Sequence, residues 1–241
     1  MRPAALVLAL ALLAPALRAD GLSDLRAALQ RLPATQPIKA TVDCQVWSRT
    51  VKEKRPKIIQ GQVQVKVEDG PAGLKLAWDK AELEHIQAAA KTKDDGPKQA
   101  LDALGAGQAG ELLDASRDLT ETLDGARIQE DRPDTWQGHP ARRLSLALDP
   151  KGMDASDRKH IKSYSRILTI WMGADGTPLA VQDQEDLKGS FFFIGFEAHN
   201  KSLRSFARSG DRLVTVHEES QNSGSGAGQQ GEQKTVMDLK F

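Results

Sequence analysis

Ile38-Lys39-Ala40-Thr41-Val42-Asp43-Cys44-Gln45-Val46-Trp47 is the stretch on which the fold turns. Successive side chains of a strand point to opposite faces, so Ile38, Ala40, Val42, Cys44 and Val46 share one side and the polar residues and Trp47 the other. The period returns at Ile59, Gly61, Val63, Val65 and Val67, and Asp69-Gly70-Pro71 then turns the chain into Leu74, Leu76 and Trp78. Three such segments predict an antiparallel meander with a single apolar face.

On either side of the meander the period changes. Leu22, Leu25, Leu29 and Leu32 recur at helical spacing and stop at Pro33, which predicts an amphipathic helix. Residues 80–123 are rich in Ala, Leu, Glu and Lys, with five Lys or Arg against nine Asp or Glu, an acidic insert. Breaks at Gly96-Pro97, Gly105, Gly107 and Gly110 divide it into two or three helices, the last carrying Leu112, Ala115, Leu119 and Leu123. Those glycines weaken continuity and make the insert a movable cover. Strand patterns resume at 127–130, 141–148, 167–172, 179–183, 190–198, 212–219 and 234–241, with Ala174-Asp175-Gly176 as a hairpin turn. The expected fold class is α+β: one long antiparallel sheet with a few helices to cover its apolar face.

Residues 1–19 give the address. Arg2 precedes an apolar run from Leu6 to Leu17, and cleavage is expected after Ala16 or Ala19. This is the layout of a secretory signal peptide, too short in its apolar part to cross a bilayer. The remainder, residues 20–241, is long enough for one domain with a sizeable core. Of 33 basic and 33 acidic residues, the leader takes two basic and no acidic ones, leaving 31 against 33, a balance of −2. That neutrality provides no footprint for nucleic acid or an anionic membrane surface, and no later run is long enough for a transmembrane anchor. Cys44 is the only cysteine, so no internal disulfide forms, and its place in the apolar series predicts burial. A single cysteine and an Ala-rich leader fit the periplasm, with a soluble monomer as the expected form.

Several patterns imitate sites. Gly226, Gly228 and Gly231 match G-x-G-x-x-G, but only a short strand pattern follows, so the glycines mark a hairpin loop. Five histidines (His85, His139, His160, His199, His217) lie far apart, with no paired metal-ligand spacing. Asp183, Glu185 and Asp186 predict a solvated charged edge, and His217-Glu218-Glu219 the exposed end of a strand. Trp47, Trp78, Trp136 and Trp171 are assigned to core packing. Arg142, Arg143, Lys151, Arg158, Lys159, Lys162 and Arg166 make residues 142–166 basic, read first as a solvated loop and otherwise as a docking surface. No catalytic residue, metal site or cofactor is assigned.

Gly138-His139-Pro140-Ala141 leading into Leu144-Ser145-Leu146, then Ile170-Trp171-Met172 with Asp175-Gly176-Thr177-Pro178-Leu179, resemble segments of the LolA-like group of periplasmic proteins. The order helix, meander, helical insert, meander resembles that group as well, although the insert falls after only three strands. The resemblance implies an unclosed half-barrel covered by helices, binding acyl chains or lipoproteins on the concave face. The alternating residues Val42, Val46, Val63, Val65, Leu74 and Leu76, with Leu144, Leu146 and Ile170, would line that face. The expected function is a non-enzymatic binding or carrier protein for a lipid or lipoprotein acyl chain. The alternative is an interaction or sensory module of the envelope that uses a sheet edge or the basic stretch to hold a protein partner.

Overall fold

The computed structural model describes residues 20–53, 55–92, 94–150 and 158–241. The leader expected over 1–19 lies outside them, as does Lys151. Helix α1 (Gly21–Gln30) starts where the Asp20 carboxylate accepts a bond from the Ser23 N–H at 2.7 Å, and it buries Leu22, Leu25 and Leu29. Strands β1 (Ile38–Lys52), β2 (Arg55–Asp69) and β3 (Lys75–Ala77) form the first meander. The insert contains four helices: α2 (Lys80–Lys91), α3 (Gly96–Ala103), α4 (Ala106–Leu113) and α5 (Ala115–Thr122).

That is one or two helices more than the spacing predicts. Gly96-Pro97 opens α3 instead of breaking a helix, because a first-turn proline lacks only an N–H that would have no partner there. Asp114 divides the last predicted helix. It closes α4 and caps α5 by accepting from the Arg117 N–H at 3.2 Å.

Strands β4 (Arg127–Trp136), β5 (His139–Ala147), β6 (Ile161–Met172), β7 (Pro178–Phe191), β8 (Ile194–Ser209), β9 (Arg212–Gly226) and β10 (Gln229–Lys240) complete one antiparallel sheet. Its order is β3-β2-β1-β10-β9-β8-β7-β6-β5-β4. The sheet is open, and β3 and β4 are its two edges. Those edges flank the helical insert in sequence, so the chain has to travel from one side of the sheet to the other between Ala77 and Arg127. Spanning that gap draws α2–α5 over the apolar face. The architecture is α+β with a curved, unclosed sheet.

Three strand assignments change. Residues 190–198 span the end of β7, a turn at Phe192-Phe193, and the start of β8. Asp183, Glu185 and Asp186 sit within β7, between β6 and β8, and not at an edge. His217, Glu218 and Glu219 lie mid-strand in β9. In each case the strands run longer than their apolar residues indicate, because pairing continues through polar positions. The glycine pattern does form a hairpin, with the turn confined to Ala227-Gly228 and Gly226 and Gly231 paired within strands.

None of the four tryptophans is fully buried. Trp136 and Trp171 pack together with ring centroids 4.9 Å apart, and Trp171 Nε1 donates to Asp134 at 3.2 Å. Their polar edges keep them at the surface.

Two hydrophobic clusters fill the space between helices and sheet. One joins β1, β2 and β10 to α3 and α4 through Val42, Val46, Val63, Val65, Ala100 and Leu112. The other joins β5, β6 and β7 to α1 and α5 through Leu25, Leu29, Leu119, Leu144, Leu168 and Ile170.

Candidate functional site

Cross-strand register defines the inner face, the one the helices cover. Cys44 stands opposite Met237, Met237 opposite Glu218, Glu218 opposite Arg204, and Arg204 opposite Val181, which faces Ile170. Directly opposed residues project to the same side of a sheet. This row is therefore apolar at both ends and charged in the middle, and the charged pair separates the two clusters.

The first cluster holds six of the nine residues expected to line a ligand face. Val42, Val46, Val63 and Val65 are buried beneath Ala100, Leu104, Ala109, Leu112 and Leu113, while Leu74 and Leu76 are half-buried at the margin. Leu144, Leu146 and Ile170 are fully buried in the second cluster against α1 and α5. The sheet thus brings eight of the nine residues to one face, with Leu74 just ahead of β3, but divides them between two sets of helices. Helix side chains, and not an open cavity, occupy the space above them.

The α3–α4 segment sits very close to the sheet. A Cβ added to Gly61 in β2 would lie 1.9 Å from the Gly96 carbonyl oxygen, and one added to Gly96 would lie 1.9 Å from that of Gln60. Both positions need glycine so that the two backbones can touch. Polar bonds also hold the segment: Lys57 Nζ donates to Asp95 at the start of α3 at 2.8 Å, and Arg212 Nη1 donates to the Leu113 carbonyl at the end of α4 at 3.4 Å. Cys44 Sγ donates to the Ala100 carbonyl at 3.5 Å, and Ser48 Oγ donates to Gln99 at 2.9 Å. Burial pushes the Cys44 thiol up to about 12, with Glu218 adding to the shift, so this cysteine is packed and unreactive, as its place in the series predicts.

The charged middle is a seam. Gln108 Nε2 in α4 donates to Glu218 at 3.1 Å, and Arg204 pairs with Asp118 of α5. Arg204 Nε is buried with no hydrogen-bond partner among the described residues. Desolvation raises the Glu218 carboxyl above its usual range, opposed by Arg204 and reinforced by Glu111 and Asp118. Glu111 is raised for the same leading reason. The sequence carries a signal for Glu218, since it continues the apolar phase of Val214 and Val216. A charge in phase with core residues marks a buried polar position.

Beyond the helices the inner face is open and polar. Asp183, Glu185, Asn200, Ser202 and Asn222 line a shallow hollow of about 190 Å³. A larger cleft, about 700 Å³, lies elsewhere, between α1, the β4–β5 hairpin and the β6–β7 turn. Its wall is a carboxylate cluster around Arg142, which donates to both oxygens of Asp131 at 2.6 Å and to Asp24 at 2.6 Å.

The basic stretch begins and ends in strand, and Arg158 and Lys159 lie between the two strands as exposed residues outside them. Arg142 and Arg143 belong to β5 and Arg166 to β6; Arg143 pairs with Glu130 and Arg166 with Asp183 at 2.6 Å. The histidines are dispersed as well, with His199 bonded to Asp186 and His217 to Asp238. Among the described residues no group of three or more His, Cys, Asp or Glu is placed to hold a metal ion. No helix in this part of the chain is long and apolar enough to cross a membrane. Comparison with family models finds no match, and comparison with curated proteins finds none either.

Proposed function

We propose that the chain is a non-enzymatic binding or carrier protein of LolA-like type, exported to the periplasm, for the acyl chain of a lipid or lipoprotein. The observation that carries this reading is the pairing of an apolar sheet surface with a separate, glycine-seated cover. Val42, Val46, Val63 and Val65 form the floor, and α3 and α4 form the roof. The Glu218–Arg204 seam stands between this cluster and the one under α1 and α5, so the roof can lift while the second core stays packed.

Magnitudes suit an exchange of roof for ligand. Exposing Leu104, Leu112 and Leu113 together with the alanines and the valine floor costs on the order of 10 kcal/mol at ~25 cal/mol per Å². An acyl chain of about fifteen methylenes returns ~12 kcal/mol at ~0.8 kcal/mol each. The unliganded protein therefore stays closed, and a long chain opens it.

The test is extraction of the purified protein for lipid mass spectrometry, with titration by a fluorescent fatty acid. Retained acyl lipid or saturable probe binding, altered by Gly96→Ala, is the expected result. No lipid and no probe binding would end the proposal. The alternative interaction module draws less support, because Arg142, Arg143 and Arg166 are all engaged by carboxylates of their own chain.

A further inference from the structure

The β7–β8 hairpin overhangs its neighbours. Gly189, Phe196, Gly226, Gln229, Lys52 and Arg55 stand opposite one another, strand to strand, in a single row. The β9–β10 and β1–β2 hairpins turn at that row. The β7–β8 hairpin continues through Ser190 opposite Gly195 and Phe191 opposite Ile194 before it turns. Two extra residue pairs at ~3.4 Å per residue give an overhang of ~7 Å.

The projecting tip is apolar. Phe191, Phe192, Phe193 and Ile194 are 54%, 81%, 102% and 54% exposed. Phe192 has φ 52°, in the left-handed region where Gly or Asn is favoured and a bulky residue is an outlier. Neither burial nor turn geometry accounts for phenyl groups here, and strained, exposed positions of this kind cluster at functional sites.

Cations stand on the shoulders of the tip. Ser190 N–H donates to the His160 carbonyl at 2.8 Å, and the His160 ring packs on Phe191 with centroids 4.7 Å apart. This docks exposed Arg158 and Lys159 beside the hairpin, with Lys162 next to them on β6 and Lys188 on β7, the last 3.5 Å from Glu197. The other end of the sheet carries Asp69, Asp134, Asp175 and Asp211 together with Arg31, Arg132, Arg208 and Arg212. The exposed apolar cluster and these cations therefore meet at one end of the sheet. An apolar point backed by cations matches the order of a bilayer surface, hydrocarbon first and phosphate behind it.

We infer that the Phe191-Phe192-Phe193-Ile194 tip inserts into the interface of an anionic bilayer while Arg158, Lys159, Lys162 and Lys188 engage its phosphate headgroups. This attachment does not depend on what the covered face holds. The test uses residues 20–241, which carry every described helix and strand and both cores, co-sedimented with vesicles. Phosphatidylethanolamine vesicles containing phosphatidylglycerol should bind the protein, and phosphatidylcholine vesicles should bind it weakly. Added salt should weaken the binding. Phe192→Ser with Phe193→Ser should cut binding at least about tenfold, and Lys159→Glu with Lys162→Glu should abolish the preference for anionic vesicles. Because the phenyls are exposed, unfolding midpoints should match the parent. Phe193→Trp should show blue-shifted emission with vesicles and quenching by brominated acyl chains. Equal binding by parent and double-serine protein, an unshifted Phe193→Trp spectrum, or loss of a co-purifying protein without vesicle binding would each overturn the inference.

Discussion

The two halves of the helical layer rest on the same sheet and are fastened in different ways. Under α1 and α5 the contacts are leucine on leucine, and polar bonds tie helix to sheet and helix to helix. Gly21 N–H and Arg142 both reach Asp131, Arg26 donates to the Leu123 carbonyl at 3.1 Å, and Ser116 Oγ donates to the Leu32 carbonyl at 2.8 Å. Under α3 and α4 the floor is valine, the roof includes Ala100 and Ala109, and the closest fit is backbone against backbone at Gly61 and Gly96. Short side chains bury less area per residue, and the polar bonds to this half, Ser48 to Gln99, Lys57 to Asp95, Gln108 to Glu218 and Arg212 to the Leu113 carbonyl, are spread along its length. The same apolar face thus has one cover tied by leucine packing and one seated backbone on backbone, and under the proposed function the second is the one that lifts.

Truncation in the fixed half should produce the largest effect. Leu119→Ala removes a fully buried side chain from the second cluster and should lower global stability by about 3–5 kcal/mol in denaturant unfolding. Leu112→Ala, equally buried in the roof, should cost less globally and act mainly by raising local opening of α3 and α4. Equal global losses would erase the distinction between the halves.

Gly96→Ala comes next. Its methyl would strike the Gln60 carbonyl, so α3 must rise. Hydrogen exchange should lose protection in α3 and α4 while α1 and α5 keep theirs. A uniform loss would show that the two halves open as one.

A smaller effect is expected from Arg142→Leu, which breaks bonds to Asp131 and Asp24 and leaves partly exposed carboxylates behind. A loss of about 1–2 kcal/mol in global stability is expected, reduced by salt. No loss would mean that leucine packing alone fixes α1.

The smallest effect should appear at the seam. Burial raises the folded-state pKa of Glu218, so the folded protein holds this proton more tightly than the unfolded chain. The contribution is fully present below the ordinary glutamate value of 4.5 and is lost as pH rises through the folded value. Glu218→Gln should therefore stabilise the protein at pH 7, and the gain should shrink below pH 4.5. Arg204 opposes this shift and Glu111 and Asp118 reinforce it, so a gain independent of pH would place the ionised carboxylate in a compensated site instead.

Much of the local structure is legible in the residues. The alternation at Val42, Cys44 and Val46 identifies β1, the leucine spacing identifies α1, and Asp175-Gly176 marks the β6–β7 turn, because each signal arises between near neighbours. Eight of the nine residues expected on one apolar face share it, and Leu74 packs at its margin just before β3. Their division into two clusters is not legible, since it depends on which helix lies above each strand. The position of Asp183 was equally hidden, because charged residues alone do not reveal whether another strand pairs beyond them.

By itself the sequence determined helix α1, the apolar centres of most strands and their phase, the burial of Cys44 and the hairpin nature of the glycine run. Tertiary structure alone decided that β1 pairs with β10, which makes β3 and β4 the edges and sends the insert across the face between them. It also decided that Glu218 lies beneath α4 and that Phe192 and Phe193 stand beyond every neighbouring turn. Period and turn chemistry act over a few residues and can be read along the chain. Pairing register and the cover above a strand join residues as much as two hundred positions apart, and only the folded molecule brings those together.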